Sequence, residues 1–512
     1  MNTQYKWLLI LLVFGFIGCE SDDDAPVTEA EVAITSGTAD FSKFVALGNS
    51  LTAGFTDGAL FIAGQEDSYP KILAQQFAKA GGGEFTQPLM NDNIGGVLLG
   101  GTQIQGPRLY FYSDPDPEPP NLSGPTPLGI VPPTDFEAEN PTTDITSPLT
   151  GSFNNMGIPG AKSFHLVAPG YGDVAGVPVG TANPYYARIA SSATSTVLED
   201  AMAQNPTFFS LWIGNNDVLG YALSGGESDP GMADPITDIG TFTNVYNTLV
   251  STLTSGGAKG VVFNIPDVTS IAHFTTVPHN PIPLDAATAA GVNGAYAAYN
   301  AGIVGAFAFL VGNGAITQEE ADLEIAKRTI TFVAGEGNAV VILDEDLTDL
   351  TGINMALVPI RQATADDLLV LPASSFIGTQ VVPGNPLTTN GVAIPLADKW
   401  VLTPEEQEEI ATATTAFNAV IDAAVQQEGL AFVDANGFLN EVSEGGIQYD
   451  EFLIQGNLVF GGLFSLDGVH PTARGYSFLA NAASEAINTT YGSTLPMVKA
   501  ADYPTFYSPL LR

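Results

Sequence analysis

Five residues spread along the chain have types and neighbours suited to acyl transfer: Ser50, Gly160, Asn216, Asp467 and His470. Ser50 stands in Gly48-Asn49-Ser50-Leu51, directly after a short apolar run. A serine hydroxyl is a poor nucleophile until a neighbouring imidazole can take its proton. His470, in Asp467-Gly468-Val469-His470-Pro471, is the candidate base. Asp467, on the same turn, can reach the other ring nitrogen, fix the tautomer and stabilise the imidazolium. A tetrahedral intermediate also needs hydrogen-bond donors aimed at its oxyanion. The backbone N–H groups of Ser50 and Gly160 and the side-chain amide of Asn216 are the candidate oxyanion-hole donors. Glycine at 160 allows close backbone approach to a ligand. This chemistry requires neither a metal nor a cofactor.

Such residues must be held at the ends of regular elements, and the apolar pattern supplies them. Phe44–Leu47, Phe208–Ile213, Gly260–Ile265 and Leu430–Val433 are short apolar runs, each ending near a Gly, Pro or Asp, and read as buried strands. Helices are expected over Ile72–Ala80, Ser195–Ala203 and Val245–Thr254. The sharpest helix start is Thr403-Pro404-Glu405-Glu406, with a capping residue, Pro in the first turn and Glu three residues on. Ile410, Phe417, Val420, Ile421 and Val425 then mark one buried face. A last helix follows Pro471 and runs through Tyr476, Leu479, Ala483 and Ile487. Strands alternating with helices imply an α/β fold with a mainly parallel sheet covered on both faces. Residues 91–151, rich in Gly and Pro, read as an ordered loop or lid, and residues 273–400 as an inserted subdomain.

The segments around Ser50, Asn155–Ala161, Gly214–Asp217 and Asp467–Pro471 resemble, in that order, the four sequence blocks of the GDSL (SGNH) hydrolase superfamily. The resemblance covers most of residues 41–512, with 91–151 and 273–400 left over. It implies a three-layer α/β/α hydrolase domain, SGNH- or flavodoxin-like, with long insertions. It also implies that Ser50 is the nucleophile, that Gly160 and Asn216 complete the oxyanion hole, and that His470 is the general base oriented by Asp467. The implied activity is hydrolysis of carboxylic esters. The order of the blocks separates this sequence from α/β-hydrolases, whose Ser lies on a G-x-S-x-G motif far from the N-terminus; no such motif surrounds Ser50. One departure is Asn49, where the family carries Asp. Asn can make similar local hydrogen bonds in a turn. Apolar insertions favour a lipid or simple ester as substrate. Carbohydrate O-deacetylation, or non-catalytic surface binding on the same fold, are the alternatives.

Composition limits the partners. The 512 residues hold 15 Lys plus Arg against 55 Asp plus Glu, a formal net charge of -40. Such a surface repels phosphate backbones, so no nucleic-acid partner is expected, and it repels anionic headgroups as well. Membrane association is expected to be covalent instead. Residues 1–18 have the layout of a secretory signal, and Phe16-Ile17-Gly18-Cys19 resembles a bacterial lipobox with Cys19 as the lipidated residue. Glu20-Ser21-Asp22-Asp23-Asp24 resembles the surface-export signal of Bacteroidetes lipoproteins, within an acidic tether over 19–40. An exported, outer-membrane, cell-surface lipoprotein is the expectation. His165, His273 and His279 have no serine or carboxylate motif beside them and read as structural or solvated. The acidic runs 22–24, 114–118 and 405–409 read as solvated faces, and Phe208, Phe209 and Trp212 as core.

Overall fold

The computed structural model describes residues 33–114, 123–129, 140–226 and 234–511. Cys19, the signal-like segment and the acidic stretch after it lie outside the described residues, as does most of the proline-rich run 114–120.

The apolar runs become strands of one sheet: β1 (Phe44–Gly48), β2 (Asn155–Gly157), β3 (Phe208–Trp212), β4 (Lys259–Phe263) and β5 (Ala431–Val433). Its order is β5-β4-β3-β1-β2, and all of these strands pair in parallel. The main helices are α1 (Ser50–Ala53), α2 (Tyr69–Lys79), α3 (Asn215–Leu223), α4 (Ile239–Thr254), α5 (Ala286–Gly312), α6 (Pro404–Glu428) and α7 (Ala473–Tyr491). Successive strand residues face opposite ways. Phe44, Ala46 and Trp212 therefore join a buried cluster with Ile72 and Phe77 of α2 and Tyr476 and Leu479 of α7. Val45, Leu47 and Leu211 join another with Phe242 and Tyr246 of α4 and Phe417 and Ile421 of α6. A parallel sheet buried on both faces is what the near-continuous apolar strands demanded.

Four differences from the sequence reading have physical reasons. Strand β2 has no apolar run; only its pairing with Ala46–Gly48 of β1 defines it. The expected tether ends before residue 40, because Thr35 N donates to Thr494 Oγ1 (2.8 Å) and Thr38 N to Tyr491 O (2.9 Å), with Ala39 and Phe41 buried. Residues 91–151 carry two antiparallel hairpins, Val97–Leu99 with Thr102–Gln105 and Leu109–Tyr112 with Gly124–Pro127. The enclosed Arg108 anchors them by donating to Asn93 O and Ser508 O, both at 2.7 Å. Glu406 is not on a solvated face: it is buried, closing the capping box with Thr403, and burial raises its carboxyl to about 8.

Residues 273–400 add to the same body. Buried Tyr296, Tyr299, Ile303 and Phe307 of α5 and Ile342 are continuous with the cluster on the α4 and α6 face. Helix α5 is long and apolar enough to cross a membrane, yet that row of side chains is spent on the core. On the same face, Phe417 stacks on Phe242 at 4.1 Å and is fully enclosed. Phe417→Ala is expected to cost about 3–5 kcal/mol, read as a lower urea midpoint with an unchanged slope.

Candidate active site

Each element end delivers one functional group. β1 stops at Gly48, and Asn49 caps the short α1 by accepting from Leu51 N at 3.0 Å. The same Asn49 amide donates to Asn215 Oδ1 (3.2 Å) at the start of α3. An Asp here could cap the turn but could not make that donation, so Asn49 serves both ends of the contact. Ser50, the first residue of α1, is thereby fixed against the residues that follow β3.

The catalytic-type relay is assembled from opposite ends of the sequence. Ser50 Oγ lies 2.9 Å from His470 Nε2, and His470 Nδ1 lies 2.8 Å from Asp467 Oδ2. Asp467 Oδ1 accepts from Ser465 Oγ (3.0 Å), Val469 N (2.9 Å) and His470 N (2.8 Å), while Oδ2 also accepts from Gly58 N (2.9 Å). Burial alone would raise this carboxyl; the His470 charge and the hydrogen bonds from His470 and Val469 outweigh burial and hold it at about 2. With Asp467 ionised, Nδ1 must carry the proton, which leaves Nε2 as acceptor for the Ser50 hydroxyl. Phe55 lies against the imidazole, ring centroids 4.6 Å apart, and Phe55 O accepts from Tyr476 Oη at 2.7 Å.

The candidate oxyanion donors come from the loop after β2 and the start of α3. Asn216 Nδ2 donates to Ala161 O at 2.9 Å, joining α3 to the loop that follows β2. That bond uses one amide hydrogen and leaves the second for a ligand. Gly160 has φ +79°, a conformation that L side chains rarely adopt. Its turn is held by Asn183 Nδ2, which donates to Pro159 O at 2.8 Å. Two residues past Ala161, Ser163 donates to buried Asp217 through N (2.8 Å) and Oγ (2.7 Å), tying the two loops together again. Ser50, Asn216 and His470 line one small cavity walled by Leu219, Pro266, Ile271 and Val469.

All five residues singled out in the sequence thus belong to this region. Ser50, His470 and Asp467 are in direct contact, and Asn216 contacts the residue after Gly160. Gly58 and Asn183 were not anticipated, since each acts through a tertiary hydrogen bond with no local signature, and Ser465 stood outside the quoted motif although its bond to Asp467 is local. His165 is structural: its Nδ1 accepts from Lys162 N, and its ring stacks on Tyr171 at 4.4 Å. A separate cleft of about 790 Å³ reaches Asp467 and is lined by both long segments, including Leu109, Pro125, Val277, Ile282, Leu371 and Ile377.

Comparison of the sequence and fold with protein-family models, curated proteins and solved structures returns no match. Function is therefore inferred from the geometry of the site.

Asp57 supports the turn that carries Asp467. It is buried, its Oδ1 accepts from Leu466 N (3.0 Å), and its own N donates to Ser465 Oγ (2.9 Å). Burial, reinforced by the Asp467 charge, raises its carboxyl to about 7 despite the Leu466 bond and Arg108. A group that binds its proton more tightly folded than unfolded stabilises the fold at low pH. That contribution is complete below the ordinary Asp range near 3.8 and is lost as pH rises to about 7. Asp57→Asn keeps the acceptor and cannot ionise. Urea unfolding between pH 4 and pH 8 should show wild type losing stability relative to this variant as pH rises; parallel profiles would refute the assignment.

Proposed function

We propose that this protein is a serine esterase of the SGNH type that hydrolyses carboxylic esters through an acyl-enzyme on Ser50. The observation that carries the reading is the continuous hydrogen-bonded relay Ser50–His470–Asp467, with links of 2.9 and 2.8 Å, between a nucleophile and a base 420 positions apart. The sheet order supports it. Read from the β2 edge it is 2-1-3-4-5, the flavodoxin-like order, and the order reverses between β1 and β3. Ligands of open α/β sheets bind beyond the carboxyl ends of the strands at that reversal. Ser50 and Asn216 follow those two strands.

In the proposed reaction His470 Nε2 takes the Ser50 proton as Oγ attacks the ester carbonyl, and Asp467 stabilises the imidazolium. The developing oxyanion is received by Ser50 N, Gly160 N and the free hydrogen of Asn216 Nδ2. His470 then gives its proton to the leaving alkoxide, and the alcohol departs. Water, deprotonated by the same imidazole, attacks acyl-Ser50 and releases the acid.

The walls of the Ser50 cavity favour an ester with an apolar acyl group. Leu51, Pro266, Ile271 and Val469 continue from it into a second apolar cavity bounded by Trp212, Phe438, Phe464 and Phe478. We place the protein as an exported lipoprotein of the outer membrane, anchored through Cys19, on the resemblance of that segment to a lipobox.

A fluorophosphonate probe should label wild type at Ser50 and fail to label Ser50→Ala. Ser50→Ala and His470→Ala should abolish turnover of a short p-nitrophenyl ester with folding intact. Asn216→Ala should lower kcat by about 10²–10³ with little change in KM. Wild-type rates in the Ser50 or His470 variant would reject the reading.

A further inference from the structure

On the α3–α6 side of the molecule a second constellation of ionisable groups is unrelated to the Ser50 site. One carboxylate oxygen from each of Glu345, Asp398 and Glu406 lies within 4.8 Å of the other two. They come from three separate places: the loop after Val341–Leu343, the turn at Asp398–Trp400, and the first turn of α6. Nothing in their sequence spacing announces a site.

Glu406 is the decisive member. It is 4 % exposed, so its carboxyl group is cut off from water. Its Oε2 accepts from Thr403 N in the capping box, but its Oε1 is enclosed and has no hydrogen-bond partner among the described residues. A buried carboxyl oxygen left without a partner costs free energy that a bound cation would recover. The backbone is shaped around this atom. Gly226, at φ +72°, follows α3 and closes over it, and a Cβ there would fall 2.0 Å from Oε1.

Three basic residues of the surrounding segments, Lys327, Arg361 and Lys399, have partners outside the trio. Lys327 bridges Asp344 and Glu405 at 3.9 and 3.7 Å. Arg361 is held by Asp344 and Asp367, and the Lys399 ammonium lies over the Trp400 ring at 5.3 Å. Glu345 and Asp398 both act on Glu406 electrostatically, and the Asp344, Glu345, Glu405 and Glu409 charges all act on Asp346. Glu345 and Asp398 thus set two further carboxyl groups beside Glu406.

We propose that Glu345, Asp398 and Glu406 bind a hard divalent cation of calcium's size and brace α6, the 345 loop and the end of α3 against one another. The donor set is all oxygen, as calcium and magnesium prefer. Calcium bonds oxygens at about 2.3–2.6 Å, so three oxygens within 4.8 Å of one another can share one such ion. Calcium also tolerates an irregular, open shell, which suits a site whose Glu345 side is exposed and can be completed by water. Because α3 begins at Asn215-Asn216 and ends at Gly226's turn, the cation would stiffen the helix that carries an oxyanion donor without touching the reacting atoms.

The test is thermal unfolding of the full-length protein at neutral pH in 150 mM NaCl, after EDTA treatment, with calcium or magnesium added back. Calcium should raise Tm saturably, and magnesium should do so only at far higher concentration. Glu345→Gln and Asp398→Asn should weaken half-saturation by about tenfold or more. In EDTA these variants lose mutual repulsion, so their Tm should match or exceed wild type, which separates a lost ligand from a damaged fold. An equal calcium response in wild type and both variants would mean general screening of an acidic surface and would overturn the proposal. So would the absence of any saturable response, and equal potency of magnesium would overturn the assignment to calcium.

Discussion

Much of this structure can be understood from one requirement: Asp467 must stay ionised in an enclosed place. A carboxylate taken out of water is tolerated only when its lone pairs are met by donors. Asp467 receives five, from Ser465 Oγ, Val469 N, His470 N, His470 Nδ1 and Gly58 N. The first four belong to its own turn, but Gly58 comes from the opposite end of the sequence. To deliver Gly58, the segment after α1 must lie on the loop before α7. Thr56 Oγ1 donating to Pro471 O (2.9 Å) and Tyr476 Oη donating to Phe55 O (2.7 Å) fasten that contact. The same contact carries Ser50 to His470.

The sheet makes this meeting possible. With β1 beside β3 and β2 at the edge, the loops after all three strands open on one side. Asn49 and Asn215 hydrogen-bond across the β1–β3 gap, and Asn216 reaches Ala161 across to the β2 loop. Polar side chains thus lace the loops together above a sheet whose own side chains are almost wholly apolar. Burying Asp217 under Ser163 is part of this lacing, and burial raises its carboxyl above the ordinary range. The cost of desolvation is offset by fixing two donor-bearing loops in register.

Legibility in the sequence followed from locality. Ser50, His470 and Asp467 stood out because each sits in a short motif beside a regular element, and Thr403 because a capping box is written in four consecutive residues. Strand β2 was invisible because three residues of mixed polarity carry no period, and its identity lies in the neighbour it pairs with. Asp57 and Asn183 were invisible for a related reason: their roles depend on atoms brought near by folding. Glu406 was misplaced because four acidic residues in five positions look like a solvated face, and only the turn after α3 covers that one. Helix α4 began earlier than expected, at Ile239, because Asp238 caps it ahead of a stretch rich in Thr and Asn.

The separation of Ser50 from His470 by 420 positions has a consequence for how the protein comes into being. The entropy of closing the intervening loop must be met before this contact forms, and His470 is synthesised long after Ser50. Under the proposed mechanism, a Ser50 made early and given His470 last would be inert throughout synthesis and during any excursion in which α7 detaches. Partly folded copies would therefore be silent rather than promiscuous, and reactivity would report that both ends of the molecule have come home.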